Sequence, residues 1–176
     1  MKLCMFSPRD QDLERGWPGR IDGERVIQLA AQTLQAFFTG GGTAREHAEY
    51  PLADVVFRPP VLHPPSIRIF DESGDFAFAN PAAITAADEE PRVPGAEPVE
   101  RVAAIIGADQ AIGGFTPLVE WVAPQLQGAK QRDFALALGP VVTTPDEGAP
   151  SGADWERLVA HAAENTTLFP GDLIVR

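Results

Sequence analysis

Short runs of apolar residues recur along most of the chain, and turn residues separate them. Residues 66–70 and 75–79 each alternate apolar and polar side chains with a period of two, which predicts two half-buried strands joined by a turn. Residues 102–106 are continuously apolar and predict a strand buried on both faces. Asp22 and Gly23 separate two more apolar runs, a pattern typical of a β-hairpin. Short strands are therefore expected to dominate the fold.

Two segments have helical spacing instead. Residues 29–38 place their apolar side chains on one helix face and end at three consecutive glycines, which favour a helix stop. Ser151 and Asp154 form a capping pattern before a second apolar stripe, which predicts a helix ending near Asn165. Residues 51–65 contain five prolines and are expected to form an extended connector or a sheet edge. Further extended segments are predicted at residues 133–138, 141–144 and 173–175, whereas residues 115–123 fit a helix or a strand.

The length and composition limit the organisation of the chain. Its 176 residues suffice for one substantial core. With 16 Gly and 17 Pro, many turns and few long helices are expected. The proline-rich connector predicts a small N-terminal lobe over residues 1–62 and a core over residues 63–176.

The charge distribution excludes some classes of partner. A net charge of -11 disfavours nucleic acid and anionic membrane surfaces as partners. The acidic residues concentrate between residues 71 and 100, and the stretch 88–100 is either a solvated loop or a lid over a pocket. The single Cys4 forms no internal disulfide, and neither a signal peptide nor a membrane span is evident, so a cytoplasmic location is expected.

Five motifs, in this order, resemble the fumarylacetoacetate hydrolase family. They are Phe-Ala-Asn-Pro-Ala-Ala-Ile at 78–84, Ile-Gly at 106–107, Gly-Phe-Thr at 114–116 leading to Glu-Trp at 120–121, Lys-Gln-Arg-Asp at 130–133 with Leu-Gly-Pro at 138–140, and Leu-Phe-Pro-Gly-Asp at 168–172. The resemblance implies an α+β, β-rich fold, a mixed β-roll with a small N-terminal lobe. It also implies a metal-dependent carbon-carbon hydrolase or decarboxylase. Its ligand would be a small 2-oxo acid or 1,3-diketo acid, and its cofactor Mg²⁺ or Mn²⁺.

The metal motif of that family is only partly present. The family carries a Glu-x-Glu pair before the Ile-Gly motif, and the matching positions here are Val99 and Arg101, with Glu100 between them. Glu100 reaches the site only if a bulge near Pro98 rotates the strand. Glu120 matches the third ligand, so the resemblance implies Glu120 and Glu100 as the metal ligands. Arg101 either pairs with Glu120 in place of the cation and binds substrate, or is an exposed residue on a shifted strand.

Some other features of the family are present in this sequence, and others are missing. Lys130 and Asp133 match the family's Lys-x-x-Asp motif, which implies catalytic roles for both and substrate binding by Lys130; the alternative is a surface lysine beside a turn-capping aspartate. The His and Glu that activate water in the hydrolases have no counterpart after residue 70. Strands that close the sheet in the family also have no counterpart, so the fold is expected to be truncated and the chain to form a homodimer.

Two functions remain open on the sequence. One is an active metal-dependent enzyme, favoured by the retained Glu120, Lys130 and Asp133. The other is a catalytically inactive relative that binds a 2-oxo acid through Arg101 and Lys130 or serves as a structural module.

Overall fold

The structure is a computed structural model that describes all of residues 1–176. It contains thirteen strands and two α-helices. The strands are β1 Lys2–Pro8, β2 Trp17–Asp22, β3 Arg25–Leu29, β4 Glu46–Pro51, β5 Val55–Arg58, β6 Ile67–Phe70, β7 Phe76–Phe78, β8 Ile84–Ala86, β9 Glu97–Ile106, β10 Ile112–Val122, β11 Leu136–Leu138, β12 Val141–Thr143 and β13 Leu173–Val175. The helices are α1 Leu34–Thr39 and α2 Trp155–Ala163. Neither helix has the length and apolarity needed to cross a membrane.

All thirteen strands belong to one mixed sheet. Its main path runs β4-β3-β2-β1-β12-β10-β9-β13-β6-β7, and β11, β8 and β5 attach beside it. The predicted β-rich fold with few helices is therefore confirmed. Strands from the predicted N-terminal lobe join those of the predicted core where β1 pairs with β12. The division at residue 62 remains a prediction.

The core lies on both sides of this sheet. The larger cluster includes Leu3, Ile67 and Ile105, and a second cluster packs the apolar face of α2 against Phe70 and Ile174. Because Ala103 to Ile106 in β9 alternate between these two clusters, both faces of that segment are buried, as its apolar run predicts.

Several predicted boundaries differ from the structure. The helix expected over residues 29–38 begins only at Leu34, where the Thr33 side chain accepts a hydrogen bond from the amide of Ala36. Leu29 instead ends β3, because it pairs with Glu46 in β4. The proline-rich connector contains β5, a strand paired to β1. The ambiguous segment 115–123 is mostly strand, since β10 extends from Ile112 to Val122.

The hairpin of β9 and β10 positions the candidate site. The two strands are antiparallel. Their register has no shift between the pair of Val102 with Pro117 and the pair of Glu97 with Val122. β9 therefore begins within the stretch predicted as an acidic loop. Three of its first four residues, Glu97, Pro98 and Glu100, are exposed, so pairing with β10 rather than hydrophobic periodicity makes this part a strand.

Candidate binding site

Strand register decides which side chains of β9 and β10 share a face. Glu120 lies directly opposite Val99, and Leu118 lies directly opposite Arg101. Paired residues and residues two apart point to the same side of a sheet, so these four side chains share one face. Glu100 pairs with Val119 and points to the other face.

Glu120 is a buried carboxylate held by two guanidinium groups. Its side chain is 1% exposed, and its Oε2 accepts a hydrogen bond from Nε of Arg101 at 2.7 Å. Its Oε1 lies 3.3 Å from a terminal nitrogen of Arg132. Both carboxylate oxygens are thus paired, as burial of a charge requires. Two guanidinium groups against one carboxylate leave one positive charge at this point of the surface.

This trio forms part of the wall of a cavity of about 480 Å³. The volume falls in the range of small-molecule sites, which is roughly 300–1,000 Å³. Asn80 adds an amide to the wall, and Asp71, Asp75 and Asp133 add carboxylates, while Ile69 and Ala77 contribute apolar surface. The acidic stretch 88–100 contributes nothing to the wall, although the Gln125 side chain donates a hydrogen bond to the carbonyl of Pro94.

The loop after β10 carries Arg132 to the cavity. The amide of Ala123 donates to the carbonyl of Gln131, and the Gln131 side chain donates to the carbonyl of Leu126, so the loop closes on itself. The Asn80 side chain donates to the carbonyl of Asp133 at 2.9 Å and accepts from the amide of Ala82. These bonds fix the end of the loop against the segment that follows β7.

The structure separates the predicted site residues into two groups. Arg101, Glu120 and Asp133 line the cavity, and the ion pair predicted between Arg101 and Glu120 is present. Lys130 does not line it; its side chain is 77% exposed and pairs with Asp133 at 2.7 Å. The structure therefore places Lys130 beside Asp133 rather than beside Arg101 and Glu120, and its role in substrate binding stays a prediction. The short turn Gly128–Gln131 turns Lys130 toward solvent.

The expected pairing of Glu100 with Glu120 at a metal is also corrected. The bulge near Pro98 that it requires is absent, because the register of β9 with β10 is regular there. Glu100 is exposed on the opposite face of the sheet. Glu100 and Glu120 therefore cannot bind the same metal ion.

The residues present do not fit a divalent cation. Hard cations such as Mg²⁺ select several oxygen ligands, usually including more than one carboxylate or a substrate oxygen. No group of three or more His, Cys, Asp or Glu side chains in the chain is arranged to hold a metal ion. Beside Glu120, the two family ligand positions carry Val99 and Arg101, and both Glu120 oxygens already have cationic partners.

Sequence reasoning missed Arg132 and Asn80. Both stand inside motifs that carried the family resemblance, at 130–133 and 78–84, but no spacing rule placed either at the cavity. Arg132 is separated from Glu120 by a loop, so only the folded path of that loop brings the two together.

Comparisons with known proteins identify the fold through solved structures. Neither a family model nor a curated protein matches the sequence. Maleylpyruvate hydrolase from Sphingobium sp. SYK-6 is 20% identical with a TM-score of 0.80, over 99% of this chain and 87% of that one. The same hydrolase with manganese(II) and pyruvate is 21% identical with a TM-score of 0.77, over 98% and 86%. A 2-keto-3-deoxy-D-arabinonate dehydratase complexed with magnesium and 2,5-dioxopentanoate is 14% identical with a TM-score of 0.73, over 99% and 86%.

Proposed function

The chain has the fumarylacetoacetate hydrolase fold, and from this premise we propose that it binds a small 2-oxo acid or 1,3-diketo acid in the cavity beside Arg101 and Arg132. Hydrolases and dehydratases that act on small keto acids share the fold, which supports this class of ligand. The observation that carries the proposal is local: two guanidinium groups, of Arg101 and Arg132, meet the single carboxylate of Glu120, in a wall whose other charged residues are Asp71, Asp75 and Asp133.

The guanidinium groups are the recognition elements. Arg101 uses Nε on Glu120 and makes no other hydrogen bond within the chain, so its two terminal nitrogens remain available. The nearest contact of Arg132 with Glu120 is that of one terminal nitrogen, at 3.3 Å. A planar guanidinium matches the two oxygens of a carboxylate, and charge-assisted hydrogen bonds of this kind are about twice as strong as neutral ones.

Glu120 prepares the site for the ligand. By holding Arg101 it fixes a side chain that otherwise has high rotamer freedom, so less entropy is lost when a ligand binds. The adjacent keto oxygen of a 2-oxo acid gives the second guanidinium a further acceptor. Apolar wall residues such as Ile69 and Ala77 then contact the carbon chain of the ligand.

Isothermal titration calorimetry with pyruvate and with oxalate, both in EDTA, tests this function. We expect binding that persists in EDTA and weakens at least tenfold in Arg132→Gln. Arg157→Gln is the matched control, because Arg157 is an exposed arginine on α2 outside this cavity. Absence of binding by the folded native chain, or equal loss in both variants, would reject the proposal.

A second candidate function is a metal-dependent carbon-carbon hydrolase or decarboxylase, with Mg²⁺ or Mn²⁺ as the cofactor. Glu120 at a family ligand position favours it, as do the manganese and magnesium in the neighbouring structures. It requires a cation to displace the guanidinium groups from Glu120. Turnover of a 1,3-diketo acid that depends on added Mn²⁺ and disappears in Glu120→Gln would establish this second function.

A further inference from the structure

We propose that the Arg101 guanidinium is a built-in cation that keeps divalent metal off Glu120. This inference goes beyond ligand binding, since it concerns the carboxylate itself and holds whether or not a keto acid enters the cavity. It makes the site a metal-independent version of a fold whose solved neighbours include manganese and magnesium complexes.

The register of the two strands brings three positions together. Val99 lies directly across from Glu120, and Arg101 is its diagonal neighbour on the same face. Three carboxylates at these positions would point into one space. In this chain one of the positions is apolar, one is cationic, and only Glu120 is acidic.

The contacts of Glu120 with the two guanidinium groups disfavour the binding of a metal ion. A divalent ion would have to break the 2.7 Å bond to Arg101 and the 3.3 Å contact to Arg132. It would also sit beside two positive charges in a partly buried place, where charge repulsion is weakly screened. Glu120 is 1% exposed and Arg101 only 17% exposed, so neither side chain has much room to turn away. Arg132 is 55% exposed and free to move to solvent, so Arg101 is the decisive group.

Restoring the acidic residues should therefore create a metal site. Val99→Glu with Arg101→Glu places three carboxylates on one face of the hairpin and removes the fixed cation. Val99→Gln with Arg101→Gln is the matched control, because it removes the cation without adding charge. Glu120→Gln in the native chain reports whether any bound metal uses Glu120.

Titration of Mn²⁺ followed by electron paramagnetic resonance measures binding without requiring activity. The exposed carboxylates of this acidic chain will bind some Mn²⁺ weakly, so we expect the native chain and Glu120→Gln to give the same isotherm. The double Glu variant should bind one additional Mn²⁺ at least tenfold more tightly than the double Gln control. Native binding that is lost in Glu120→Gln would overturn the proposal, as would a folded double Glu variant that binds no more than its control.

A second measurement needs no variant. The Nε-H signal of Arg101 can be followed by NMR in the native chain during addition of Mn²⁺. We expect paramagnetic broadening at exposed acidic residues and a sharp Arg101 signal. Selective broadening of Arg101 at low Mn²⁺ would show the ion at Glu120 and contradict the inference.

Discussion

Nε of Arg101 lies 2.7 Å from Oε2 of Glu120, across the antiparallel pair β9 and β10. The two residues are diagonal neighbours on the face that borders the cavity. Their pairing neutralises a buried carboxylate and leaves the rest of the guanidinium available to a ligand. One contact therefore stabilises the buried charge and also positions the terminal nitrogens of Arg101 for the proposed ligand.

Arg101→Met should destabilise the fold by about 2–4 kcal/mol, because it leaves Glu120 buried with only the exposed Arg132 as a partner. Urea unfolding followed by circular dichroism measures the change. Arg25→Met is the control, since Arg25 pairs with Glu49 at the same 2.7 Å but on the surface. Loss of that exposed pair should cost less than about 1 kcal/mol. Equal costs for the two variants would show that burial of Glu120 has no energetic consequence.

Lys130→Gln should change the affinity for pyruvate by less than about twofold, because the ammonium group is exposed and does not line the cavity, although its partner Asp133 does. The same calorimetric titration checks this outcome. A loss as large as that of Arg132→Gln would instead support the substrate-binding role that the family resemblance implies for Lys130.

The parts of the fold predicted well from sequence are those fixed by local patterns. The alternating runs at 66–70 and 75–79 form the hairpin β6–β7, although every residue of β6 is buried and the strand is not half-buried as predicted. The Asp22-Gly23 signal marks a true hairpin, although the turn lies one residue later, with Asp22 paired to Arg25 and Gly23 at φ +59°.

The site was harder to predict because it depends on contacts between distant segments. The motif positions left the pairing of Arg101 with Glu120 as one of two alternatives, and the register of β9 with β10 decides for the pair. Arg132 enters through the fold of a loop, which carries no periodic signal. Lys130, two residues earlier, points to solvent for the same reason.

Alkaline pH should weaken the fold through Cys4. Burial raises the pKa of the Cys4 thiol from 9.0 to about 12, so the folded chain keeps the proton while the unfolded chain loses it above pH 9. The contribution of this group is complete below pH 9 and declines as pH rises toward 12.

Urea midpoints at pH 8 and pH 10, compared between the native chain and Cys4→Ala, isolate the thiol from other groups that titrate in this range. The native chain should lose more stability between the two pH values than the variant does. In addition, the folded thiol should react with iodoacetamide at pH 8 much more slowly than the thiol in urea. Fast labelling of the folded chain would contradict the burial of Cys4.

Asp172→Asn should destabilise the fold by about 2–4 kcal/mol. The Asp172 side chain is 2% exposed and accepts hydrogen bonds from Ser66 Oγ and the amide of Phe169, and Arg68 lies 3.9 Å away. The substitution leaves the buried Arg68 without its carboxylate neighbour. The thermal unfolding midpoint measures this, with Asp154→Asn as control. Asp154 caps α2, and asparagine caps a helix about as well as aspartate does. Similar midpoints for both variants would contradict the account of Asp172.

A crystal structure of the chain soaked with pyruvate and Mn²⁺ together tests the central claim most directly. It shows whether the guanidinium groups or a manganese ion contact the pyruvate carboxylate. The account predicts the pyruvate carboxylate within hydrogen-bonding distance of Arg101 and Arg132, with no anomalous manganese signal at Glu120. Pyruvate chelating a manganese ion bound to Glu120, with Arg101 turned away, would contradict it.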